Sequence, residues 1–260
     1  MEKINKEIYK NAIKEVVEKC KNNPLVLSNI NFIVLLGSVR EKEYVLGYSD
    51  LDLLFILKSD ISGSIDDNVV SGLKEIAELL TKKYQIKIAF LIHTVYDFNT
   101  YVDYEYLRHY SWGKILFGRR SDFNQLFSRL LSQKKLSIYE LRRQILINII
   151  HARFNLVRKY VSFNKYNTSN YPKELLKLFI DNIFEISDWR LIAEDLWSIS
   201  KKDIVRNSLR NIESEFNDVI SSAYLYRKNW NKLNLERLDV DAFFKRSLYF
   251  INDCIKQLIH

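Results

Sequence analysis

The stretch "LLGSVREKEYVLGYSDLDLLFIL", residues 35–57, sets a Gly-Ser pair at the end of one apolar run and two aspartates at the start of the next. Side chains alternate across an extended strand, so Asp50 and Asp52 project from one face while Leu51, Leu53 and Phe55 line the other. Two like charges a few ångströms apart repel and raise each other's proton affinity unless a cation lies between them. Mg2+ suits such a pair. It is a hard ion that takes one or two protein carboxylates and fills its other positions with water and phosphate oxygens. Gly37, at a strand end, lets backbone approach a ligand closely, while the Ser38 hydroxyl and neighbouring N–H groups suit phosphate oxygens. Arg40 and Lys42 follow in a loop from which cationic side chains can neutralise a triphosphate tail. Ser49, beside Asp50, joins Gly37, Ser38 and Arg40 as a nucleotide-contact candidate. Read alone, Gly37-Ser38 is a turn and Ser49-Asp50 a cap.

Working outward, residues 31–36 and 51–57 are strand-length apolar runs joined by an eleven-residue loop after Ser38. Residues 1–20 space Ile4, Ile8, Ala12, Ile13, Val16 and Val17 as an amphipathic helix, without the apolar core and cleavage site of a secretory signal. Val69, Leu73, Ile76, Leu79 and Leu80 predict a second helix, and QIKIAFLI, residues 85–92, a third strand. A helix over VDYEYLRHYSWG, ending at Gly113, and a short strand KILFG closed by Gly118 complete this part. From about residue 122 a helical period takes over, with Ile138, Leu141, Ile145, Ile149, Ala152 and Leu156 on one face. About five helices are expected, broken at NKYNTSNYP (Pro172 opening a helix after Asn170), near residues 198–202 and near 229–234. The glycines lie before residue 119, and a helical bundle needs few turns. The expected fold is α+β: a mixed sheet with flanking helices over 1–120, followed by an all-α bundle over 121–260.

Composition bounds the partners. The 260-residue chain carries a formal charge of +8. Residues 1–120 hold 17 Lys and Arg against 16 Asp and Glu, whereas residues 121–260 hold 23 against 16, so the excess belongs to the second half. That balance favours an anionic partner or simply confers solubility. No apolar run reaches the roughly 20 residues of a membrane span. Cys20 and Cys254 are too few and too far apart for a disulfide framework or metal motif, which fits a reducing cytoplasm.

The arrangement strand-Gly-Ser, eleven residues, Asp-Leu-Asp-strand resembles the signature of the DNA polymerase β-like nucleotidyltransferase superfamily, particularly its small bacterial and archaeal branches, including the antibiotic nucleotidyltransferases. SWGKILFG, residues 111–118, resembles the segment closing the catalytic domain in those branches, and the likeness spans about residues 25–120. The resemblance implies a nucleotidyltransferase-type sheet, with Asp50 and Asp52 as catalytic, Mg2+-binding carboxylates and Gly37 and Ser38 as the phosphate contact. It also implies a nucleoside triphosphate substrate, expected to be ATP, with a nucleoside monophosphate passed to a hydroxyl acceptor.

One feature departs from the family. Members often supply a third carboxylate from a later strand, and by the familiar spacing Ala89 occupies that position, with Lys87 on the same face. Either two carboxylates suffice, or Asp97, Asp103 or Glu105 enters from the next segment, or nucleotide binding persists without catalysis. His93, His109, His151 and His260 lack metal-ligand spacing and are read as structural or exposed. Arg142 and Arg143 precede His151 on one helix without the spacing of the helical ribonuclease partners of these transferases. Trp189, Trp197 and Trp230 are read as core residues of amphipathic helices, with base stacking as the other option. A basic second half suits an RNA acceptor, while the acidic group Glu185, Asp188, Glu194 and Asp195 suits a cationic antibiotic; a protein acceptor stays open. The alternative class is a catalytically silent nucleotide- or partner-binding protein of antitoxin-like type.

Overall fold

The structure is a computed structural model and describes residues 2–59, 63–162, 171–235 and 238–259. His260 and Asn170 lie outside these residues. The chain forms two compact units, Met1–Lys135 and Leu136–His260.

In the first unit the elements run α1 (Glu2–Lys21), α2 (Pro24–Asn29), β1 (Ile30–Leu35), α3 (Gly37–Arg40), β2 (Leu51–Leu57), α4 (Asp67–Tyr84), β3 (Ile88–Thr94), α5 (Val95–Thr100), α6 (Tyr104–Ser111), β4 (Lys114–Phe117) and α7 (Arg120–Gln133). The sheet is mixed, in the order β3-β2-β1-β4. Strand β1 is antiparallel to both β2 and β4, while β2 and β3 are parallel with α4 as their crossover. Parallel neighbours need such a connection because a tight turn returns the chain antiparallel.

Two cores follow from the two faces. Leu51, Leu53, Phe55 and Leu57 of β2 pack with Ile33 and Leu35 against Tyr9, Ala12, Val16 and Cys20 of α1 and Val69, Leu73, Ile76 and Leu80 of α4. Leu54 and Ile56 join Phe32 and Val34 on the other face, beneath Phe98 of α5, Leu107 of α6 and Phe123, Phe127 and Leu130 of α7. Every β2 residue from Leu51 to Leu57 except Asp52 is fully buried. This two-sided cover is why the strand reads as a continuous apolar run. Leu79, expected on the buried face of α4, is instead exposed. Helix α7 begins where the sequence reading placed its second domain, yet its phenylalanines complete the second core of the sheet, so the compact unit extends to Lys135.

The second unit contains, among the described residues, α8 (Ile138–Ser162), α9 (Tyr171–Ile192), α10 (Lys201–Asn211), α11 (Asp218–Lys228), a 3-10 turn (Trp230–Lys232) and α12 (Val240–Ile259). Helix α9 buries Leu175, Leu176, Phe179, Ile180, Ile183, Phe184 and Ile186, an apolar surface too broad for one face. It is therefore the central helix, in contact with α8, α10, α11 and α12. Tyr160 of α8 stacks on Phe244 of α12 at 3.8 Å between ring centroids and donates to Asp241 at 2.9 Å. Among the described residues no helix is long and apolar enough to cross a membrane.

Candidate functional site

The Gly-Ser turn and the aspartates are held at one end of the β1–β2 pair. Leu35 pairs with Leu53, and the next amide, Leu36 N–H, donates to the Asp52 carbonyl at 3.0 Å. Gly37 then turns with φ +63° into the single turn of α3, where Ser38 and Arg40 lie. A Cβ placed on Gly37 would fall 2.5 Å from Asp52 Oδ2. The Asp52 carboxylate thus occupies the space that any side chain at residue 37 would need. Glycine is required here twice, for its backbone conformation and for this close approach.

The connecting loop is braced from within. Ser49 Oγ accepts from the Val45 amide at 2.9 Å, and Ser49 N–H donates to the Val45 carbonyl at 2.8 Å. Ser49 is buried, so its hydroxyl shapes the loop before Asp50. Tyr9 of α1, fully buried, donates its hydroxyl to the Ser49 carbonyl at 2.8 Å and packs its ring on Tyr44 at 4.8 Å. Sequence reasoning missed Tyr9. Its only signal was a tyrosine hydroxyl on an apolar helix face, which needs a polar partner when buried.

Strand β3 brings a cation to the aspartates. The register pairs Leu51 with Ile88 and Asp52 with Ala89, and Leu51 N–H donates to the Lys87 carbonyl at 2.8 Å. Lys87 therefore lies beside Asp50, and its Nζ reaches Asp50 Oδ2 at 2.7 Å. Ala89, next to Asp52, adds no acid.

Of the acids offered as replacements, Asp97 is engaged elsewhere. Asp97 lies in α5, past the far end of β3, and about 20 Å of strand separates Ile88 from Thr94. Its carboxylate accepts from the Thr94 amide at 2.6 Å while its own amide donates to Thr94 Oγ1 at 3.1 Å, a reciprocal cap of α5. Asp103 occupies the N-cap position of α6. Glu105 has 0% exposure, which removes it from any solvent-open crevice.

Among the described residues no group of three or more His, Cys, Asp and Glu is arranged to hold a metal ion. Two carboxylates beside phosphate oxygens nevertheless meet the needs of Mg2+. Asp52 lies over Gly37 and Asp50 carries Lys87, and by donor type the two carboxylates suit such an ion.

Other candidates have structural roles. His93 sits among Phe98, Tyr101 and Tyr110, and burial holds its imidazole below the usual value. The same environment pushes the Tyr110 hydroxyl up to about 12. Trp189 and Trp230 are buried, but Trp230 lies in the 3-10 turn. Trp197 lies in the loop after α9 and donates Nε1–H to Asp195 at 2.9 Å, because α9 ends at Ile192. In the acidic group, Glu194 accepts from Arg142 at 2.6 Å and Arg190 at 2.7 Å. Compared with known proteins, the sequence matches no family model and no curated protein.

Proposed function

We propose that the protein is a Mg2+-dependent nucleotidyltransferase of the DNA polymerase β-like type, which transfers a nucleoside monophosphate, AMP from ATP, to a hydroxyl acceptor. The observation that carries this reading is the contact of the Asp52 carboxylate with Gly37, which joins the metal-binding acid and the Gly-Ser turn in one place. Antiparallel pairing of β1 with β2 and a parallel β3 support a nucleotidyltransferase-type sheet. Asp50 and Asp52 would hold the ion, and Gly37 and Ser38 would contact the phosphates. Arg40, at the end of α3, would neutralise the leaving group. When bound, Mg2+ neutralises charge on the transferring group and favours loss of the acceptor proton. The acceptor oxygen forms its bond to the α-phosphorus as the bond to the β-phosphate bridging oxygen breaks. Pyrophosphate leaves with that electron pair, and the acceptor proton passes to water. Two free, buried thiols, Cys20 and Cys254, support a reducing cytoplasmic setting.

The test offers each α-labelled nucleoside triphosphate with Mg2+ to RNA, protein and small hydroxylated acceptors such as aminoglycosides and lincosamides. Label should pass to one acceptor class, and both Asp50→Ala and Asp52→Ala should abolish the transfer. Failure of every mixture would sink the reading. A second reading, a catalytically silent nucleotide- or partner-binding protein, draws on the Lys87–Asp50 pair and on Ala89 beside Asp52. It predicts nucleotide binding without transfer.

A further inference from the structure

We infer that Lys87 is the resident counter-ion of Asp50, held there until a divalent ion displaces it. The inference rests on the nucleotidyltransferase reading and assigns a role to a residue that the motif does not contain. Register fixes the lysine: Asp52 lies beside Ala89, and the bond from Leu51 N–H to the Lys87 carbonyl aligns Lys87 with Asp50. The ammonium sits 2.7 Å from Asp50 Oδ2 and so occupies one oxygen of a carboxylate that would hold the ion.

Exposure makes the arrangement exchangeable. The Lys87 side chain is 70% exposed on a flexible stem, whereas that of Asp50 is 21% exposed. The cation can therefore swing into water at little cost, while the carboxylate stays in place. An ammonium and a divalent ion at one carboxylate repel each other, so the lysine opposes binding of the metal and the metal favours its release into water. Ala89, beside Asp52, brings no further carboxylate from β3. Lys87 thus offsets the charge of Asp50 before loading, which lessens the repulsion within the acid pair.

The experiment titrates Mn2+, followed by the electron paramagnetic resonance of the free ion, into the full chain as wild type, Lys87→Met, Lys87→Glu, Asp50→Asn and Asp52→Asn. Wild type should bind the ion, and removal of the competing charge in Lys87→Met should tighten binding by about three- to tenfold. Lys87→Glu should tighten it further, which keeps the test readable if one variant does not fold. In parallel, the metal-free melting temperature of Lys87→Met should fall below that of wild type, and saturating Mg2+ should close the gap. Unchanged or weaker Mn2+ affinity in both lysine variants, together with loss of binding in both asparagine variants, would overturn the role of Lys87 and leave the metal site standing. Absence of binding in wild type and lysine variants alike would overturn both.

Discussion

Carboxylates meet cations in both units of the chain, and they meet them in different ways. In the helical unit, Glu194 accepts from Arg142 of α8 at 2.6 Å and from Arg190 of α9 at 2.7 Å, and Arg142 also donates Nε–H to the Ala193 carbonyl at 3.0 Å. The Arg190 side chain is only 9% exposed, and a planar guanidinium holds its geometry. In the sheet unit, Asp50 meets the water-exposed Lys87 and Asp52 lies over Gly37. The first arrangement clasps the end of α9 to α8 and has no reason to open. The second keeps its cation where it can be exchanged. A charged cluster is thus better judged by how firmly its counter-charge is held than by its count of acids.

The largest effect should separate the two sites outright. Asp52→Asn preserves shape and removes charge, so transfer should fall by about a thousandfold or more in single-turnover assays, with thermal stability close to wild type. Normal transfer would break the contrast. Arg190→Met should do the reverse, costing about 2 kcal/mol in urea unfolding because a partly shielded Glu194 loses one of its two arginines, while Mn2+ binding stays unchanged. Gly37→Ala should cost about 1–2 kcal/mol for the left-handed backbone, and it should also weaken Mn2+ binding because the new methyl displaces Asp52. Tyr9→Phe removes a buried hydrogen bond and should cost about 1 kcal/mol.

The smallest effect is on pH dependence. Burial alone would raise the Glu194 carboxyl, but its hydrogen bonds to Arg190 and Arg142 outweigh this and hold it below its ordinary value of 4.5. Its contribution to stability is therefore fully present above about pH 4.5 and is lost as pH falls through the lowered folded-state value. Urea midpoints measured between pH 3 and 6 should show this loss in wild type, and a shallower one in Glu194→Gln.

The strands around the site were legible because both signals are local. Asp50 and Asp52 interrupt an apolar run, and Gly37-Ser38 ends another, so β2 matched residue for residue while β1 came out one residue early. Lys87 was placed on the face of Ala89 by alternation alone. Its partner was hidden, because the pairing of β2 with β3 depends on a crossover through α4 that no short pattern encodes. The Arg142–Glu194 clasp spans 52 residues and was hidden for the same reason. Helix α7 looked like the start of the bundle because its period is helical; only packing of Phe123 and Phe127 beneath the sheet assigns it to the first unit. Asp97 stayed open as a candidate ligand because a capping carboxylate and a ligating one look identical until the Thr94 amide is located.

The Tyr9 hydroxyl on the Ser49 carbonyl couples the first helix to the loop that delivers the aspartates. Undocking of α1 would break this bond, so the two segments are expected to open together. Deuterium should enter the Tyr48 and Ser49 amides, both bonded to the Val45 carbonyl, in step with those of α1, which would make the amino-terminal helix a thermal fuse for the loop that carries Asp50.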